Sequence, residues 1–182
     1  MPTINLPVQA TGSLQGWSSI VGASTAHEAI DDSDTTTHDS DTTYIVIPKR
    51  FIGLGRVSFR FFDMAEHLIP TSIVVRAAMK KATGAVPEIE IGFYRGGVTA
   101  FSVTTVLPGA GYGVSTTTFN SNPFNASPWA EDDTDGLEIC IGMKDQVLGS
   151  VWLSLVSVGL TYQAATYHRA ATVPDDQGVQ VA

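Results

Sequence analysis

Five aspartates and a histidine stand close together in one threonine-rich stretch, residues 29–44, AIDDSDTTTHDSDTTY. Carboxylates crowded in this way cannot be buried singly without a large desolvation cost. They must be solvated, bonded to their own backbone, or gathered around a cation. Hard cations take carboxylate and carbonyl oxygens, which makes Asp31, Asp32, Asp34, Asp39 and Asp41 candidate calcium ligands. The spacing does not follow the EF-hand loop, because no Gly or bidentate Glu falls at the required offsets. Asx turns, in which Asp and Thr side chains bond backbone groups one to three residues away, account for the same residues without an ion. The stretch is read as an ordered loop serving architecture or recognition, with calcium the one cofactor to consider.

Other groups capable of chemistry are scattered. Serines are abundant, but no G-x-S-x-G elbow holds a nucleophile. His27, His38, His67 and His168 show neither an H-x-H nor an H-E-x-x-H spacing. Glu88 and Glu90 fall on one strand face, about 7 Å apart by strand rise, a separation that glycoside hydrolysis would accept. Alternating glutamates on an exposed strand equally serve solubility and discourage edge pairing, and nothing marks a cleft around them. Cys140, the single cysteine, sits between Ile139 and Ile141 and reads as a small packing residue. Gly53, Gly55 and the Gly111-Tyr-Gly113 motif are turn or bulge glycines, since neither set opens a helix that would cradle phosphate. No enzyme is expected. Aromatic rings offer a different chemistry, stacking on sugar faces. Trp129, Tyr94 and Tyr112 are the candidate glycan contacts, with Trp17 also available; Trp129 in SNPFNASPWAEDDTDG is either a loop plug or a contact. Trp152, inside the longest apolar run, is assigned to the core.

These residues need a scaffold, and the patterning supplies strands. Short β-branched or alternating runs occur at 44–47, 56–62, 72–80, 88–94, 98–107, 112–119, 137–143 and 151–162. Arg95-Gly-Gly97 predicts a hairpin, because consecutive glycines permit positive φ. Thr25 and Glu28 fit a capping box and predict one or two helical turns through Ile30; no other segment has helical periodicity. About eight or nine strands with almost no helix predict an all-β antiparallel sandwich or jelly roll. Its body spans 17–163, with extended arms at 1–16 and 164–182. The last strand is apolar on both faces, Trp152, Val156, Val158 and Leu160 on one and Val151, Leu153 and Leu155 on the other, which predicts a central position or burial of its second face by another subunit.

The chain has 182 residues and a formal net charge of −8, without any run of Lys or Arg. Neither nucleic acid nor an anionic membrane surface is therefore an expected partner. No apolar run reaches the length of about 20 residues that a membrane helix needs. The opening MPTINLPVQATG lacks the basic and apolar regions of a signal peptide.

Two resemblances complete the reading. A-I-D-D-S-D-T-T-T, from Ala29, resembles the A-x-D-G-x-x-x-T-x-W opening of discoidin-like, galactose-binding jelly rolls. That likeness implies an Asp-bearing loop able to hold calcium. The order GWSSIVG, A-I-D-D, SDTTYI, the S-P-W loop at 127–129 and the terminal VWLSLVSVGLTY is similar to virion structural proteins of tailed bacteriophages. That resemblance implies a non-enzymatic capsid decoration or cement protein, or another head or tail component, acting in the virion after synthesis in the host cytoplasm. Its expected partners are other virion proteins, a major capsid or tail protein, and further copies of itself in a homo-oligomer. The alternative expectation is a carbohydrate-binding module of the galactose-binding jelly-roll type.

Overall fold

Period-two alternation decides which side chains of each strand enter the core, and here it does so in two antiparallel sheets. The computed structural model describes residues 1–30, 42–48, 55–61, 68–84, 88–102, 106–144 and 149–164. The front sheet runs β2 (Ser19–Val21), β3 (Tyr44–Ile47), β10 (Gly149–Ala164), β5 (Leu68–Gly84) and β8 (Gly113–Phe119). The back sheet runs β4 (Arg56–Phe61), β9 (Glu138–Met143), β6 (Ile89–Arg95) and β7 (Val98–Phe101). One strand, β1 (Thr3–Gln15), belongs to both: Thr3 to Pro7 pair with β10, and Val8 to Gln15 pair with β4. The residues expected to form an N-terminal arm are therefore a strand of the sandwich. Thr3 and Asn5 alternate with Ile4 and Leu6, and the latter two pack on the core. The C-terminal arm lies outside the described residues beyond Ala164, and so do Asp31, Asp32, Asp34, Asp39 and Asp41.

Between the sheets, Phe59, Phe93, Ile45, Ile47, Ile73, Val75, Met79, Ile89, Ile91, Ile139, Ile141, Leu153, Val158 and Leu160 are all buried in one apolar cluster. β10 is central, as its composition predicts. β5 lines its whole length on one side, whereas β3 and β1 share the other, pairing at 151–153 and 157–161. In the interval between those two partners, the Val156 amide donates to the Ile30 carbonyl at 3.1 Å. Ile30 is delivered by the Thr25 to Glu28 motif, which closes reciprocally: Thr25 N donates to Glu28 Oε2 at 2.9 Å, and Glu28 N to Thr25 Oγ1 at 3.4 Å. One i→i−4 bond, Ala29 N to Thr25 O at 3.2 Å, follows, so the expected short helix is a single turn that fills a gap in the sheet edge.

The two-faced character of β10 has a specific cause. Leu153 pairs with Met79 and Leu155 with Ala78, so one residue, Ser154, is inserted on β10. A bulge of this kind shifts the parity of everything after it. Val151 and Leu153 point inward before the bulge; Val156, Val158 and Leu160 point inward after it. The sandwich core takes one face; on the other lie Trp152, partly buried, and Leu155, which is fully buried opposite Ala78 outside the core cluster.

The back sheet covers its own outer face. A Cβ on Gly92 would stand 2.1 Å from the Ala100 carbonyl oxygen, and one on Gly142 would stand 3.1 Å from the Phe101 ring. Both positions need glycine because the β6–β7 hairpin curls over the sheet. Its turn is made by Gly96 at φ 58° and Gly97 at φ 91°. Arg56 lies 5.1 Å from the Phe101 ring centre and donates to Thr99 Oγ1 at 3.0 Å. Beneath this cover Cys140 is fully buried, and burial pushes its thiol up to about 12, which leaves it unreactive.

At the other end of the back sheet, Glu138 is 4% exposed. It accepts from Ser13 N at 2.7 Å, Ser13 Oγ at 2.8 Å, Ser58 Oγ at 2.6 Å and Arg60 Nε at 3.2 Å. Gly12 lets β1 come this close, since a Cβ there would sit 2.5 Å from both Glu138 Oε2 and Ser58 Oγ. Burial alone would raise the Glu138 carboxyl, but the hydrogen bonds from Ser58, Ser13 and Arg60 outweigh it and hold it below its ordinary value of 4.5. A carboxylate depressed in the folded state stabilises the fold above its unfolded pKa, and that contribution disappears as pH falls through the folded value. Glu138→Gln should therefore lower stability at neutral pH by about 2 kcal/mol, the scale of hydrogen bonds to a charged group. In urea titrations the gap between wild type and variant should close as the pH drops below 4.5; a gap that stays constant down to acid pH would show that the charge is not what matters.

Candidate functional site

The three aromatic residues expected to touch a glycan are separated by the fold. Trp129 is 5% exposed, its Nε1 donates to the Phe119 carbonyl at 3.1 Å, and its ring meets Phe93 edge-on at 5.9 Å. The loop that carries it is tied by Ala126 N and Asn125 N to the Asn122 carbonyl, and by Asn122 N to the Ser127 carbonyl. Trp129 is thus the plug of the core at the open side of the sandwich and not an exposed platform, because its large apolar ring gains more from burial than the loop loses in ordering. Tyr94 follows inward-facing Phe93 and is half-buried on the back sheet, opposite Glu138 and Thr99. Tyr112 stands on the front sheet, next to the start of β8.

Around Tyr112 the front sheet gathers what the sequence did not reveal. Outward positions of adjacent strands come into register: Trp152 of β10 lies opposite Lys80 of β5 and Val46 of β3. The Trp152 and Tyr44 rings stack with centroids 4.3 Å apart and planes within 16°. Lys80 Nζ lies 4.2 Å from the Trp152 ring centre and 4.6 Å from that of Tyr112. Tyr44, Trp152, Lys80 and Tyr112 thus form one row across the strands, roughly 14 Å long at the usual strand spacing of about 4.8 Å. All four are partly buried. Cation–π contact over two rings fixes the lysine, and the stacked pair fixes the tryptophan.

Along β5 and its neighbours the same face continues with polar side chains. Arg76 lies opposite Ser157 and Thr116, and its guanidinium rests over Gly159, where a Cβ would come within 2.9 Å of Nη1 and 3.3 Å of Asn5 Oδ1. Thr3 and Thr161 extend this surface, their hydroxyls 3.2 Å apart.

Other groups with potential chemistry are engaged elsewhere. Glu88 pairs with Lys144 at 3.2 Å, and Asp133 pairs with Arg95 at 3.7 Å. A depression of about 340 Å³ is lined by Arg60, Phe61, Gly136, Leu137 and Glu138, but both oxygens of that carboxylate are taken up by the donors described above. Among the described residues, no three His, Cys, Asp or Glu side chains gather closely enough to hold a metal ion. The aspartates of the calcium expectation lie outside those residues.

No family model matches the sequence, and no curated protein is similar to it. Solved structures with a related fold exist. A mutant family 29 carbohydrate-binding module has a TM-score of 0.47 at 10% identity, covering 87% of this chain and 92% of its own. Another family 29 carbohydrate-binding module, from Piromyces equi, has a TM-score of 0.44 at 10% identity, covering 88% and 93%. The N-terminal cellulose-binding domain of a β-1,4-glucanase from Cellulomonas fimi has a TM-score of 0.41 at 15% identity, covering 88% and 98%. The expectation of a virion structural protein is corrected here: these similar structures are carbohydrate-binding modules, not virion components. Residues 3–15, within the expected N-terminal arm, are also a strand of the sandwich and not an extension available to neighbours.

The two tryptophans with reversed roles can be separated by stability. Trp129→Ala should cost about 3–5 kcal/mol, the range for emptying a buried aromatic site, whereas Trp152→Ala should cost no more than about 2 kcal/mol as a half-exposed ring. Denaturant midpoints of the two variants check this, and equal losses would place Trp152 in the core after all.

Proposed function

We propose that the protein is a non-catalytic carbohydrate-binding module that takes a glycan along the outer face of its front sheet. The observation that carries this reading is the row Tyr44, Trp152, Lys80 and Tyr112, three aromatic rings and a cation set in line on one sheet face. A sugar ring presents an apolar C–H face and a rim of hydroxyls. Tyr44 and Lys80 cover the two faces of Trp152, so the row offers the C–H face the apolar outer edges of its rings, while the Lys80 ammonium brings positive charge to the hydroxyl rim. A flat sheet supplies such groups at fixed spacing without loop ordering, which lowers the cost of binding an extended chain. Rings placed only for stability belong in the core, as Phe93 and Trp129 are; these three are kept at the surface, where their apolar area is only half recovered.

The row suits recognition and not bond cleavage. Proton transfer needs a group poised within reach of the reacting atom, and among the described outward positions of the front sheet no carboxylate stands. Affinity therefore arises from summed stacking and hydrogen bonds, and glycans should be released unchanged.

Native-gel retardation in soluble polysaccharides tests the proposal directly. Trp152→Ala and Tyr112→Ala should each reduce retardation about tenfold, equivalent to the loss of one aromatic contact of roughly 1–1.5 kcal/mol. Tyr94→Ala, on the back sheet, should leave it unchanged. Loss of retardation in the Tyr94 variant with none in the Trp152 variant would move the site to the other sheet.

A further inference from the structure

Resting on that reading, we infer that the glycan is anionic, a uronic-acid-bearing or sulfated polysaccharide, and that Arg76 and Lys80 are the residues that select it. The argument is one of charge distribution. The chain carries 18 acidic and 10 basic residues for a net charge of −8, so a random patch of its surface should be negative. The outer face of the front sheet reverses this. Its outward positions are Thr3 and Asn5 on β1; Tyr44 and Val46 on β3; Val74, Arg76 and Lys80 on β5; Val114, Thr116 and Thr118 on β8; and Trp152, Ser157, Gly159 and Thr161 on β10, with Ala78 and Leu155 fully buried among them. Two cations stand among them and no carboxylate, counting described residues only.

The two cations are also arranged. Four residues apart on one strand, Arg76 and Lys80 point the same way, about 13 Å apart along β5 at the strand rise. Lys80 lies in the aromatic row; Arg76 lies beside Asn5, Ser157 and Thr116, with its guanidinium held over Gly159 because no side chain intervenes there. No ion pair engages Arg76 among the described residues. Arg presents a planar fork of donors matched to a carboxylate or sulfate. A chain bearing an acidic group at intervals can rest its sugar rings along the outer edge of the aromatic row and place its charge on Arg76, with the Lys80 ammonium, held between Trp152 and Tyr112, adding to the positive potential. A neutral chain would gain only the first set of contacts. The net negative charge elsewhere repels an acidic polymer and so confines it to this face.

Affinity electrophoresis and calorimetry with the intact protein decide the matter, using polygalacturonate for the carboxylate source, dextran sulfate for the sulfate source and hydroxyethylcellulose and dextran as neutral chains. The expected result is tighter binding of one anionic polymer than of either neutral one, weakened by salt. Arg76→Gln should lower that affinity about tenfold, the equivalent of one charge-assisted hydrogen bond. Arg76→Lys should restore part of it, and thermal unfolding should show both variants folded. Preference for polygalacturonate over dextran sulfate, or the reverse, names the acidic group. Equal binding of neutral and anionic polymers, unchanged in Arg76→Gln, would overturn the charge inference and leave the carbohydrate reading standing. Binding to none of the four would overturn both.

Discussion

One inserted residue in one strand controls the working surface of this protein. Among the described residues, β10 alone pairs with β1, β3 and β5, and its phase decides what the front sheet shows to each side. Without the bulge at Ser154, a strand with this apolar content would put Trp152 on the same face as Val156, Val158 and Leu160. With it, three residues beyond the bulge and two before it share the core. Trp152 is turned outward against Tyr44 and Lys80. Register in a half-buried sheet is strongly specified, because a slip of one moves every apolar side chain to water. The same force that fixes the core therefore fixes the aromatic row.

The two sheets divide the labour through their glycines. On the back sheet, Gly92 and Gly142 admit the curled β6–β7 hairpin, and Phe101 and Arg56 close over Cys140. On the front sheet, Gly159 instead makes room for an arginine side chain that reaches outward. Small residues at matching outward positions thus admit a curled hairpin in one case and an arginine side chain in the other. The Glu138 cluster joins these parts, since its partners come from β1, β4 and β9 and pin the strand that changes sheets.

Much of the architecture is legible in the residues themselves. Alternating runs at 56–62 and 137–143 give strands whose inward members, Val57, Phe59, Ile139 and Ile141, are all buried. Arg95-Gly-Gly97 gives its hairpin, and Thr25 with Glu28 gives a reciprocal cap. The Pro- and Gly-containing opening reads as an arm because its alternation is weak, yet it pairs with two strands whose positions no local signal discloses. The site is less legible for a related reason. Parity across a bulge depends on the partner strand, so a run such as VWLSLVSV cannot say which of its halves is out of phase. The one local trace is the three-residue step from Leu153 to Val156 at a serine. Trp129 fails as a surface ring because the Asn122 turn folds its loop inward, a contact set by backbone bonds within the loop.

The central claim is that the face bearing Trp152 receives an acidic glycan while Trp129 stays inside. An NMR titration of the three indole N–H signals with oligosaccharides of whichever acidic polymer binds more tightly measures this most directly. The account predicts that the Trp152 indole shifts progressively and saturates, while the Trp129 indole, bonded to the Phe119 carbonyl, keeps its position. A shift confined to Trp129, with the Trp152 signal unmoved at saturation, would contradict it.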